Sequence, residues 1–172
     1  MTEQAIINSL EFARKSLEIH GKIDASQLPR LCEAVDVGDQ AAGDAEVGYL
    51  LKGGVNGQGR AMLSLHVIGL VVVRCQRCLV PMGLSLDFEA SFLVVPSEGD
   101  LPAPEDESDE TDFLVADPQM NVWQLVEDEI LLGLPLASMH ENSECAIGSV
   151  NGADQKRENP FKVLQGLKLN KN

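Results

Sequence analysis

Apolar and polar side chains alternate with a period of two through most of residues 47–95, and no other pattern in the chain restricts its fold as strongly. Val47, Tyr49 and Leu51 alternate with smaller or polar neighbours, and the run G-G-V-N-G-Q-G then supplies the glycines of a hairpin turn before a second run from Arg60. In that run Leu63, Leu65, Val67, Val71 and Val73 share one face, while Ser64, His66, Ile68, Leu70, Val72 and Arg74 share the other. A third run sets Leu84, Leu86, Phe88, Ala90, Phe92 and Val94 against Ser85, Asp87, Glu89, Ser91, Leu93 and Val95. Three consecutive antiparallel strands are the simplest arrangement of these signals. The expected class is α+β: an antiparallel β-meander, open or barrel-like, with flanking helices and an acidic mobile loop.

The flanks carry helical periodicity. Ile6, Leu10, Ala13 and Leu17 suit a short amphipathic helix over residues 5–17, and S-L-E-I-H-G-K-I then alternates as a strand would. Asp24 with Gln27 forms a capping-box pattern ahead of a helix over about residues 25–36, with Pro29 tolerated in its first turn. Residues 37–45 read as loop. The segment NVWQLVEDEILLGLP predicts a helix that begins near Asn121 and ends at Gly133 and Pro135. Val122, Trp123, Leu125, Val126, Ile130 and Leu132 form its apolar face, with Glu127 and Asp128 off that face and Glu129 within it, where it either meets a nearby donor or reaches water at the helix edge. A C-terminal docking helix is expected at 159–169, with Asn159 as N-cap, Pro160 at the first helical position, and Phe161, Leu164 and Leu167 as its apolar stripe. All of this fits a single domain over residues 1–172, long enough to bury one core without disulfides or metal.

Charge is distributed very unevenly. The formal net charge is −14, and residues 78–155 hold seventeen acidic side chains and no basic one. Residues 156–172 hold five basic and one acidic. Such a balance argues against nucleic-acid binding over a broad surface, which draws on clustered Lys and Arg. PSEGDLPAPEDESDETD, from Pro96 to Asp112, is nearly devoid of apolar anchors, so a flexible acidic loop is expected at 97–112, followed by a short apolar patch from Phe113 to Val115. The N-terminal residues lack the basic and apolar regions of a secretory signal, and the longest apolar stretch, Val67 to Val73, is far short of the roughly 20 residues that span a bilayer. A cytoplasmic location with no membrane partner is the expectation.

Cysteines at 32, 75, 78 and 145 in such a compartment point to thiols or metal ligands before disulfides. Cys75-Gln76-Arg77-Cys78 falls on the turn between two strands, and a two-residue spacer lets both sulfurs converge on one tetrahedral ion. His140 and Cys145, in the polar stretch after Pro135, are the candidate second half-site, which makes Cys75, Cys78, His140 and Cys145 a candidate structural zinc site. The same residues also read as two semi-buried thiols and an ordinary loop histidine. A redox pair fits poorly, because that chemistry places the first cysteine at a helix N-terminus. Cys32 reads as core.

No convincing active site emerges, and no small-molecule substrate is indicated. His20 and His66 lack the neighbours of a nucleophile with its base. The glycines at 53, 54, 57 and 59 precede a strand, where a phosphate cradle needs a helix. Glu127, Asp128 and Glu129, the best candidates for a metal-dependent nuclease, point about 100° apart on a helix and cannot share one ion unaided.

Arg74-Cys75-Gln76-Arg77-Cys78-Leu79 with Pro81, the acidic gap, Val126-Glu127-Asp128-Glu129-Ile130 running into Leu134-Pro135, and Asn159-Pro160-Phe161 with Leu164 and Leu167-Lys168 stand in a specific order and spacing. Together they resemble the YceD family of large ribosomal RNA subunit accumulation proteins. The resemblance covers nearly the whole chain. It implies a bacterial cytoplasmic, non-enzymatic factor needed for synthesis, processing or stability of 23S ribosomal RNA. Many relatives carry extra cysteines after the Leu-Pro, whereas here that region keeps only His140 and Cys145. Two partners follow from the charge map. Arg74, Arg77, Lys156, Arg157, Lys162 and Lys168 are candidate contacts to large-subunit ribosomal RNA or its precursor particle. The acidic interval suits a basic ribosomal protein or an RNA-processing protein, in the manner of a chaperone.

Overall fold

The structure, a computed structural model, describes residues 5–35, 46–103, 112–141 and Cys145. In chain order the elements are β1 (Ile6–Ile7), α1 (Ser9–Arg14), β2 (Glu18–Asp24), a 3-10 turn (Ala25–Gln27), α2 (Pro29–Val35), β3 (Glu46–Val55), β4 (Ala61–Arg74), β5 (Pro81–Val95), a second 3-10 turn (Glu98–Asp100), β6 (Asp112–Val115), β7 (Met120–Asn121) and α3 (Val122–Gly133). The fold is α+β. Strands β2 to β5 form an antiparallel meander, β6 adds to β5 in parallel, and β1 pairs with β7 in a separate two-stranded ribbon. The five-stranded sheet is open, with β2 and β6 at its edges among the described residues.

The alternation that organises the sequence also organises the core. Leu63, Leu65, Val67, Val71 and Val73 of β4 are all buried, as are Val47, Tyr49 and Leu51 of β3 and Ile23 of β2. Register aligns them in rows across the sheet: Ile23 with Val47, Tyr49 with Val67, and Leu51 with Leu65. The three helices cover this face, and Val122, Trp123, Leu125, Val126 and Ile130 of α3 join the same core. Between β3 and β4 the turn is held by the Asn56 side chain, which accepts from the Gln58 and Arg60 N–H groups, with Gly59 at φ +77°.

One close approach depends on a missing side chain. Gly53 N–H donates to Leu17 O (2.7 Å), drawing the end of α1 onto β3. A Cβ on Gly53 would overlap Phe12 O and stand 2.8 Å from Ala13 Cα. Because the obstruction is backbone, Gly53→Ala is expected to destabilise the fold by about 2–3 kcal/mol, at the upper end for overpacking. Urea unfolding of the two proteins measures it, and a change below roughly 0.5 kcal/mol would show that α1 shifts freely on the sheet.

The helix expected over 5–17 is shorter, because the Asn8 side chain caps α1 by accepting from the Glu11 N–H, and the residues before it pair with β7. The one expected over 25–36 is divided into a 3-10 turn and α2, with the Asp24 side chain capping the former through Ser26 N–H. The acidic stretch at 97–112 is described only at its ends, where Glu98–Asp100 form the second 3-10 turn and Asp112 already belongs to β6. Residues 37–45 and the C-terminal helix expected at 159–169 lie outside the described residues.

Candidate metal centre

β4 and β5 are 14 and 15 residues long, and residues 75–80 connect them. The connection is tight. Cys75 N–H donates to Val80 O (3.0 Å) and Leu79 N–H donates to Cys75 O (2.9 Å), which curls the backbone around the first cysteine. Leu79 takes φ +61°, a left-handed conformation that a bulky residue adopts only when its surroundings impose it. After α3, stopped by Pro135, the chain runs back to this turn. Gln76 N–H donates to Ser138 O (2.8 Å), and the Arg77 guanidinium donates to His140 O (3.4 Å).

These contacts bring the two halves of the expected site together. Cys75 Sγ lies 3.5 Å from Cys145 Sγ, Cys78 Sγ lies 3.4 Å from His140 Nδ1, and Cys145 Sγ lies 3.6 Å from the same nitrogen. All four ligand atoms fall within 4.8 Å of one another. A tetrahedral ion with metal–sulfur bonds of about 2.3 Å and a metal–nitrogen bond of about 2.0 Å would impose edges of about 3.5–3.8 Å. The three separations of 3.4–3.6 Å lie close to that figure, and the sulfurs of Cys75 and Cys145 are far too distant for a disulfide. Cys75 is buried, and the other three are partly so. The group can therefore hold a metal. Among the described residues no other cluster of His, Cys, Asp and Glu is placed to do the same.

The electrostatics suit a cation. Burial alone would raise the Cys75 thiol, but the N–H groups of Cys78, His140 and Arg77, with the Cys145 thiol, hold it down to about 5. Cys78 is pushed up: the Val80 N–H opposes the shift, while burial and the sulfurs of Cys75 and Cys145 drive it. Arg77 is held more firmly protonated, chiefly by the Cys145 sulfur. Arg77 is exposed beside the cluster, and Arg74 ends β4 at its base. Lys156, Arg157, Lys162 and Lys168 lie outside the described residues.

The other candidates are distributed differently from the sequence reading. Cys32 is partly buried, its thiol donates to Ala25 O (3.3 Å), and burial pushes its pKa up. His66 does have a carboxylate neighbour, since its Nε2 lies 3.0 Å from Asp87 Oδ1 across the strand pair. The helical wheel of α3 also misleads. Glu127 is the buried carboxylate, 4% exposed, and it accepts from the N–H groups of Arg30 (2.7 Å) and Leu31 (3.1 Å) and from Arg30 Nε (2.9 Å). Asp128 pairs with Arg30 Nη1, while Glu129 is half-buried, with a carboxyl pushed up by burial and then by Asp112 and Asp128. Sequence reasoning missed the Glu127–Arg30 link, and no local pattern marks it.

Fold and site together define a mixed α+β protein in which two chain segments, separated by more than sixty residues, meet at a Cys3His group able to hold a metal. Residues 63–168 match the family model described as "Large ribosomal RNA subunit accumulation protein YceD". The chain belongs to this family. It is 29% identical over 172 aligned residues to the large ribosomal RNA subunit accumulation protein YceD of Haemophilus influenzae, with 94% of each chain covered. No solved structure matches. Among the described residues no helix is long and apolar enough to cross a membrane.

Proposed function

We propose that this protein is a non-enzymatic, cytoplasmic factor in ribosome biogenesis that supports synthesis, processing or stability of large-subunit (23S) ribosomal RNA. The observation that carries the reading is the family match, whose span includes both halves of the Cys3His group. Zinc is the ion we assign to Cys75, Cys78, His140 and Cys145, on the chemistry of three thiolates and one imidazole in a closed tetrahedron. With every position taken by protein, such an ion holds the turn in shape and has no open position for a substrate. Arg74 and Arg77, with Lys156, Arg157, Lys162 and Lys168, are the proposed RNA contacts.

A second partner is favoured by the charge map. An interval of seventeen acidic and no basic side chains suits a basic ribosomal protein, or an RNA-processing protein, better than it suits RNA. Affinity capture at two salt concentrations, with and without RNase, separates the two. Large-subunit proteins retained after RNase would support the acidic surface, whereas loss of all partners would support direct RNA contact. Depletion of the protein in cells is expected to lower 23S relative to 16S ribosomal RNA, and an unchanged ratio would overturn the assignment.

A further inference from the structure

Among the described residues the helices cover one face of the five-stranded sheet, and the other stands open. Along β4 it presents Ile68 and Leu70, which are 54% and 48% exposed, followed by Val72 toward the cysteine turn, with Leu50 of β3 alongside. A groove of about 770 Å³ adjoins Ile68 and Leu50. Gly48 and Gly83 deepen the surface, since a Cβ at either would press on Ile68 or Leu70 at 3.4 and 3.3 Å. Asp87 and Glu89 of β5 border the apolar row as exposed acids. Contiguous exposed apolar side chains rimmed by charge mark a surface that something covers.

We propose that the occupant is this chain's own C-terminal segment, residues 159–169, docking as a helix with Phe161, Leu164 and Leu167 on Ile68, Leu70 and Val72. Dimensions agree. Phe161 to Leu167 spans about 9 Å on a helix, and Ile68 to Val72 spans about 13 Å on a strand. Reach is sufficient: Ile68 lies seven residues, roughly 23 Å, along β4 from Cys75, which Cys145 contacts. The fourteen residues from Cys145 to Asn159 extend up to about 46 Å. Charge is compatible as well, because residues 159–169 carry two lysines and no acid that Asp87 and Glu89 at the border would repel.

Hydrogen exchange on the full-length protein tests the assignment. Amides of residues 163–168 should be protected, and Ile68→Glu should reduce that protection about tenfold or more. Ile68 is exposed among the described residues, so its replacement leaves the core intact, and unchanged exchange of the β3 and β4 amides confirms that. Leu164→Glu should give the same loss from the other side. Exchange at the rate of an unstructured peptide in the unmodified protein overturns the proposal, as does protection that is indifferent to Ile68→Glu. Protection that grows with concentration, alongside a dimer in light scattering, overturns the intramolecular assignment and makes a second copy the occupant.

Discussion

Protein purified without chelator is expected to carry close to one zinc ion per chain, and Cys75→Ser to lose it to a competing chelator at concentrations that leave the unmodified protein loaded. Structural zinc sites in small peptides are worth about 10–16 kcal/mol at neutral pH, so each of four ligands carries about 3 kcal/mol and its removal weakens binding about a hundredfold or more. Cys75 is the ligand to change. It is fully buried, receives the N–H groups of Cys78, His140 and Arg77, and anchors the turn through Val80 and Leu79. A serine there keeps the size and loses the thiolate. Elemental analysis with chelator competition reads the result directly. Absence of zinc from the unmodified protein, with all its thiols reacting freely, would leave the cluster as semi-buried cysteines. Equal zinc content in Cys75→Ser would remove Cys75 from the ligand set.

Glu127→Ala should cost about 2–4 kcal/mol, more than Arg30→Ala, although the two residues are partners. The asymmetry comes from burial. Glu127 is 4% exposed, and its removal strands the N–H groups of Arg30 and Leu31 at the start of α2 together with one face of the guanidinium. The Arg30 side chain is 44% exposed and returns to water when unpaired, and Glu127 keeps two backbone donors after its loss, so about 1 kcal/mol is expected. Urea unfolding of the two variants and their double mutant measures both terms and their coupling. Comparable losses for the two single variants would show that the ion pair, and not the capping of α2, carries the energy.

Glu127 also shows where the sequence is opaque. The apolar pattern of α3 predicts its limits, and Asn121 caps it through Trp123 and Gln124 N–H as its position suggests. Which carboxylate turns inward is decided by α2, ninety-seven residues earlier, whose unpaired N–H groups draw Glu127 in. Strand β6 was hidden for a related reason. Phe113, Leu114 and Val115 are too few to show a period, and parallel pairing with β5 is set by the path of the intervening chain. By contrast β4 could be read residue by residue, because a long strand with one buried face repeats its signal many times, whereas β3 runs on through Gly53–Val55, expected in the turn, and Leu93 and Val95 of β5, expected on the outer face, are buried. The three cysteines and the histidine of the cluster were legible as residue types; what brings them together, Ser138 O on Gln76 N–H and His140 O on Arg77, was not.

The parallel pairing of β6 changes how the acidic stretch should be handled. Phe92 lies beside Asp112 and Val95 beside Val115, so the chain that leaves β5 must return and run in the same direction. Crossovers of that kind need about a dozen residues or more, and residues 96–111 supply sixteen. The acids therefore sit on a tether whose length the sheet requires. Cutting them out would unseat β6 and confuse lost charge with lost fold. Exchanging Glu105, Asp106, Glu107, Asp109 and Glu110 for their amides keeps the tether's length and removes five negative charges, so any change in partner binding can then be assigned to charge.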